Sequence, residues 1–151
     1  IVTYDFGMAK VGYASSTTAS TTANGAKTDQ TQVGIGTSLG SVGIKFARGT
    51  SKTAGANGAA DTSNISTRDV GLSYSVDDTV SLYALFSDSK EETGSNANDK
   101  MTTSTFGLSY AIAPGVSGLL ETASADYTDN TAGSNNSDGQ NTTTAKIKVS
   151  F

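Results

Sequence analysis

The residues able to do chemistry are few and of narrow type. The chain contains no histidine and no cysteine. That removes imidazole bases, thiolate nucleophiles, disulfides and the nitrogen and sulfur ligands of most zinc and copper centres. The carboxylate pairs Asp77-Asp78 and Glu91-Glu92 fall in a tight turn and a polar loop, so no cleft is expected to keep one acid protonated beside an ionised base. Asp61, Asp99, Asp129 and Asp138 stand among Asn and Gly, but they match neither an EF-hand loop nor a calcium-binding nonapeptide, and solvated loops are expected there. Gly34-Ile-Gly-Thr-Ser-Leu-Gly40 has the wrong spacing for a dinucleotide loop and leads into a strand pattern instead of a helix. The chain is therefore expected to have no catalytic residue, no metal and no cofactor, and not to be an enzyme.

What remains is charge. Lys10, Lys45, Lys146 and Lys148, with Asp69 and Glu121, share one parity of the strand pattern described below, and Arg48 and Arg68 take the other. Charges spread over one wetted face act through their field. An excess of lysine there would favour small anions or orient zwitterionic solutes. The two arginines, close to the long loops, are expected to reach lipid phosphates. A formal net charge of −4 speaks against nucleic acid as a partner.

Strands must position these charges. Val33, Ile35, Thr37 and Leu39 alternate with small or polar residues, as do Val70 to Val76 and Phe106 to Ile112. That is the period of a sheet with one apolar and one small, polar face. Eight strands are predicted at about 8 to 17, 28 to 39, 42 to 52, 65 to 76, 79 to 90, 101 to 112, 116 to 128 and 141 to 151. Tight turns are expected at Asp5-Phe6-Gly7, Gly40-Ser41, Asp77-Asp78 and Ala113-Pro-Gly115. They take turns with long polar loops near Thr18 to Lys27, Thr53 to Asn64, Glu91 to Lys100 and Asn130 to Gln140. Val33-Gly-Ile, Val70-Gly-Leu and Phe106-Gly-Leu recur at intervals of 37 and 36 residues, one hairpin plus one loop apart.

With 35% hydrophobic residues and 17 glycines, a conventional soluble core is hard to build. No apolar run approaches the ~18 to 20 residues of a spanning helix. Short turns at one end, long loops at the other, and Tyr4, Phe6, Tyr74, Tyr110 and Phe151 towards strand ends are how a membrane-spanning β-barrel is laid out. The fold class expected is all-β: an antiparallel up-and-down transmembrane barrel, one region over 1-151. A soluble β-sandwich would need bulkier interlocking residues and turns of mixed length.

Tyr4-Asp-Phe-Gly-Met-Ala-Lys-Val-Gly-Tyr13, the two Gly-Leu-Ser-Tyr strands at 71 and 107, and the terminal Ala145-Lys-Ile-Lys-Val-Ser-Phe151 resemble the Gram-negative outer-membrane porin family. The resemblance covers nearly the whole chain through short motifs in order and spacing. It implies location in the outer membrane and a water-filled channel for passive diffusion of small hydrophilic solutes and ions, leaning to anions if the lysines line it. It further implies a homotrimer of sixteen-stranded barrels, contact with lipid and lipopolysaccharide, and Phe151 as the signal to the barrel-assembly machinery. Ile1 to Tyr4 reads as the tail of an earlier strand, so the chain is expected to form the C-terminal half of such a barrel. The alternative is a closed small eight-stranded outer-membrane barrel with a structural or adhesive role.

Overall fold

A computed structural model describes residues 1–19, 25–56, 59, 62–93, 98–130 and 137–150. The strands are β1 (Val2–Asp5), β2 (Ala9–Ala19), β3 (Lys27–Leu39), β4 (Val42–Ala54), β5 (Ser63–Ser75), β6 (Val80–Thr93), β7 (Lys100–Ala113), β8 (Val116–Thr128) and β9 (Ser137–Val149). They form one antiparallel up-and-down sheet in sequence order, and no α-helix occurs among the described residues. Within those residues β1 is bonded only to β2, and β9 only to β8.

The short connections follow from turn chemistry. Gly7, Gly40 and Gly115 have φ of 86°, 60° and 77°, a region that a side chain disfavours. Asp5 Oδ1 accepts the Gly7 amide at 2.8 Å. In the third turn Asp77 Oδ1 accepts the Thr79 hydroxyl at 2.7 Å and the amides of Thr79 and Val80 at 2.7 and 2.8 Å. The hydroxyl and then the two amides hold this carboxyl below the usual aspartate value. A depressed folded value means the contribution is present above the unfolded pKa, near 3.8, and is lost as pH falls through the lowered one. The protection of the Thr79 and Val80 amides relative to their intrinsic exchange rates is expected to fall in that acid window, and D77A to lack it throughout.

Several strands run further towards the long loops than alternation implies. β9 begins at Ser137, where a loop is expected, and its polar Ser137-Asp-Gly-Gln-Asn141 stretch is laddered to Thr128 through Ser124. Backbone hydrogen bonds need a partner strand and not an apolar side chain, so the ladder outlasts the apolar pattern.

Register sorts the faces. Val11, Ile35, Phe46, Val70 and Phe86 lie opposite one another in turn, and so do Leu39, Val42, Tyr74, Leu82, Leu108 and Leu120. The other face carries Gly12–Gly34, Gly36–Lys45 and Gly107–Glu121 pairs. No apolar side chain is buried among the described residues; Phe46 is 52% and Ile147 75% exposed. Among the described residues the sheet is held by its hydrogen-bonded ladders and cross-strand side-chain contacts, and no second layer covers its apolar face.

The apolar band also crosses the hydrogen-bonded rows obliquely. The row of Tyr13 and Val33 passes through Arg48, Arg68 and Asp88 to end on Thr102, Asp126 and Gly139. The row of Val80 and Tyr110 ends on Ile147, and Val116 faces Val149. The strands are therefore inclined to the band, as a staggered sheet requires.

Candidate functional site

Lys10, Lys45, Asp69, Glu121, Lys146 and Lys148 all share the face of Gly12, Gly34 and Gly107. Register does not gather them at one point. Lys10 and Lys45 flank Gly36 in a single row, two strand spacings or about 10 Å apart. Lys10 Nζ lies 3.2 Å from Asp5. Asp69 stands diagonally from Lys45 across β4 and β5, since Gly71 faces Lys45 and Asp69 faces Ala47. Glu121 and Lys146 form a second diagonal across β8 and β9. Lys146 and Lys148 are on β9, at the opposite side of the sheet from Lys10.

Around Gly36 the surface sinks into an open hollow of about 720 Å³, lined by Lys10, Gly12, Gln32, Gly34 and Lys45 among others. Glycines on this face are expected from sequence to leave space, but several are roofed by a neighbour. A Cβ on Gly36 would come 3.3 Å from Lys45 Cγ, and one on Gly71 3.3 Å from Leu85 Cδ2. At Gly107 a Cβ would collide with the ring of Tyr83, which crosses β7 and donates its hydroxyl to the Glu121 carboxylate two strands away.

Tyr83 is a site residue that sequence reasoning passes over. The available signal is its parity: it breaks the apolar series Val80, Leu82, Ala84, Phe86 and faces a glycine. Y83F is expected to keep the sheet but lose about 1 kcal/mol, one net hydrogen bond, by denaturant midpoint. G107A is expected to push the ring aside and give a similar loss.

Arg48 and Arg68 face each other across β4 and β5 on the apolar side, two residue pairs beyond Phe46 and Val70 towards the long loops. No ion pair engages either among the described residues.

At the long-loop end, Asp99 departs from the solvated loop expected of it. It is 6% exposed. Its carboxylate accepts the Tyr127 hydroxyl and the Asn130 amide, both at 2.8 Å, and Asn130 Nδ2 donates to the Asn98 carbonyl at 2.6 Å. Asn98, at φ 77°, turns the chain so that its own amide and the Asp99 carbonyl both bond Glu91. No group of three or more acidic residues that would hold a metal occurs among the described residues. Asp61 and Phe151 lie outside those residues.

Among the described residues the arrangement is a small-residue, polar face carrying the six charges and an opposite apolar face with Arg48 and Arg68 towards its long-loop end. Comparison with protein-family models, curated proteins and solved structures returns no match.

Proposed function

We propose that the apolar face meets lipid, that the sheet is part of the wall of a transmembrane β-barrel in a Gram-negative outer membrane, and that the polar face lines a water-filled channel for passive diffusion of small hydrophilic solutes. The observation that carries this reading is the pairing of an apolar face that no second layer covers among the described residues with an opposite face of Gly, Ser, Thr and separated lysines. A bilayer supplies the missing cover without a second protein layer. The eight longer strands have 11 to 14 residues, enough for the ~9 to 11 that a tilted spanning strand needs. The oblique band supports strands tilted against a membrane plane, which closing a sheet into a barrel demands. Completion to sixteen strands, the trimer and targeting by Phe151 rest on the porin resemblance.

Glycine-rich walls favour a lumen wider than the side chains reach, because a barrel of eight strands is filled by its own interior. The lumen would conduct ions past Lys10, Lys45, Lys146 and Lys148 and, on the same face, Asp5, Asp69, Glu91, Glu121 and Asp138. Single-channel recording of the intact, membrane-extracted protein in a planar bilayer tests this. Large stable steps are expected, with steps in threes for a trimer, and the reversal potential in a salt gradient reads the balance of these charges. The combined variant K10Q/K45Q/K146Q/K148Q is expected to move the reversal potential towards cations. Folded protein that leaves the bilayer silent refutes the channel.

A further inference from the structure

We infer that Tyr83 is a positioning residue: it holds the Glu121 carboxylate over Gly107 and away from Lys146, so that Lys146 and Lys148 stay open to small oxyanions on the polar face. The inference rests on the channel reading and deepens it, because an oxyanion reaches that face only through water.

Tyr83, Gly107 and Glu121 occupy one row on β6, β7 and β8. Two strand spacings, about 10 Å, separate the outer two. The tyrosine spans that distance because its ring lies over the glycine, where a Cβ would collide with it, and its hydroxyl donates to Glu121 Oε2. The carboxylate is thereby drawn towards β7. On its other side stands β9, where Glu121 faces Thr144 and Lys146 is its diagonal neighbour, within reach of a long side chain. An opposite-charge diagonal ordinarily closes into a pair. No ion pair joins Glu121 to Lys146, or engages Lys148, among the described residues. A phenol donating to a charged acceptor outweighs an exposed lysine pair, and the carboxylate stays with Tyr83.

The consequence falls on β9. Lys146 faces Leu119 and Lys148 faces Ser117, so among the described residues Glu121 is the one acid beside Lys146 on this face. With that acid turned away, two lysines whose Cα atoms are about 7 Å apart along the strand share the face with the Ser117 hydroxyl. Like charges so placed repel, and an oxyanion between them relieves the repulsion. Phosphate or sulfate carries enough oxygens to accept from both ammonium groups and the hydroxyl.

Acetylation of the intact, membrane-extracted protein in neutral detergent by a water-soluble succinimidyl ester tests this, with each lysine read by fragment-ion mass spectrometry and Lys45 as the internal reference. In the wild type Lys146 and Lys148 are expected to react, and to be slowed more by inorganic phosphate than by chloride at the same ionic strength. Y83F frees Glu121 to pair with Lys146. Acetylation of Lys146 is then expected to slow about threefold relative to Lys45, the worth of an exposed ion pair, with most of the phosphate protection lost. Y83F/E121Q is expected to recover both. G107A, which displaces the ring but keeps the hydroxyl, should behave as Y83F, so a result is obtained even where far-UV circular dichroism shows that one of the two has failed to fold. Unchanged Lys146 reactivity in folded Y83F or G107A overturns the role of Tyr83 and leaves the channel reading standing. Equal slowing of the wild type by phosphate and chloride overturns the oxyanion contact. Failure of Lys45, Lys146 and Lys148 alike to react, while Lys100 at the long-loop end of β7 is acetylated, would mean a dry polar face and overturns the channel reading and the inference together.

Discussion

If the apolar face meets lipid as proposed, arginine in place of Leu72 is expected to destabilise the protein in a bilayer by about 2–4 kcal/mol, whereas arginine in place of the adjacent Ser73 is expected to change its stability by less than about 1 kcal/mol. Leu72 stands between Ile44 and Ala84 on the apolar face and is 42% exposed with no protein layer over it. Surface exposure in water would make both substitutions nearly neutral. The proposed lipid contact would make the first expensive, because a guanidinium there must leave water or deform the bilayer. Ser73 lies on the wetted face beside Gly43, whose missing side chain leaves room for a longer neighbour to lean across. Denaturant unfolding in lipid vesicles, followed by far-UV circular dichroism since the chain has no tryptophan, measures both. Equal costs for the two variants would remove the distinction between the faces.

Asp99→Ala is expected to cost about 2–3 kcal/mol, because the carboxylate accepts two hydrogen bonds in a buried setting and its loss strands both donors. The damage should be local. Asn130 would lose its amide acceptor, and the ends of the chain segments following β6 and β8 would separate. Amide exchange at Asn130 is expected to rise far more than at Leu108 in the middle of β7. Asp99→Asn, which keeps an acceptor oxygen, is expected to restore part of the protection. Uniform acceleration across the sheet would mean that Asp99 supports the whole fold and not the loop bases.

Alternation was enough to read the strands because the two faces have opposite chemistry: moving Val70-Gly-Leu-Ser-Tyr74 by one residue would exchange its apolar and polar sets. The turns were legible for a separate reason, since Gly7, Gly40 and Gly115 occupy backbone positions that few other residues tolerate. Parity also placed the six charged residues on one face. What sequence could not supply was distance across the sheet. Lys10 and Lys45 are neighbours because β2, β3 and β4 are paired at one particular register, and Lys90 joins Lys100 for the same reason. Tyr83 reaches Glu121 only because Gly107 intervenes. The polar start of β9 was hidden because both its faces are hydrophilic, and Asp99 was hidden because its partners lie 28 and 31 residues further along, at the end of β8.

The central claim is that one face of this sheet meets lipid and the other meets water. Absence of native cysteine makes single-cysteine labelling clean. Nitroxide labels placed one at a time from Asp69 to Tyr74, in protein reconstituted into phospholipid vesicles, would report accessibility to oxygen, which concentrates in lipid, and to a water-soluble nickel chelate. The expected result is a period of two, with oxygen maxima at Val70, Leu72 and Tyr74 and nickel maxima at Asp69, Gly71 and Ser73. Equal nickel access at all six positions, or exclusion of both reagents from the apolar set, would contradict it.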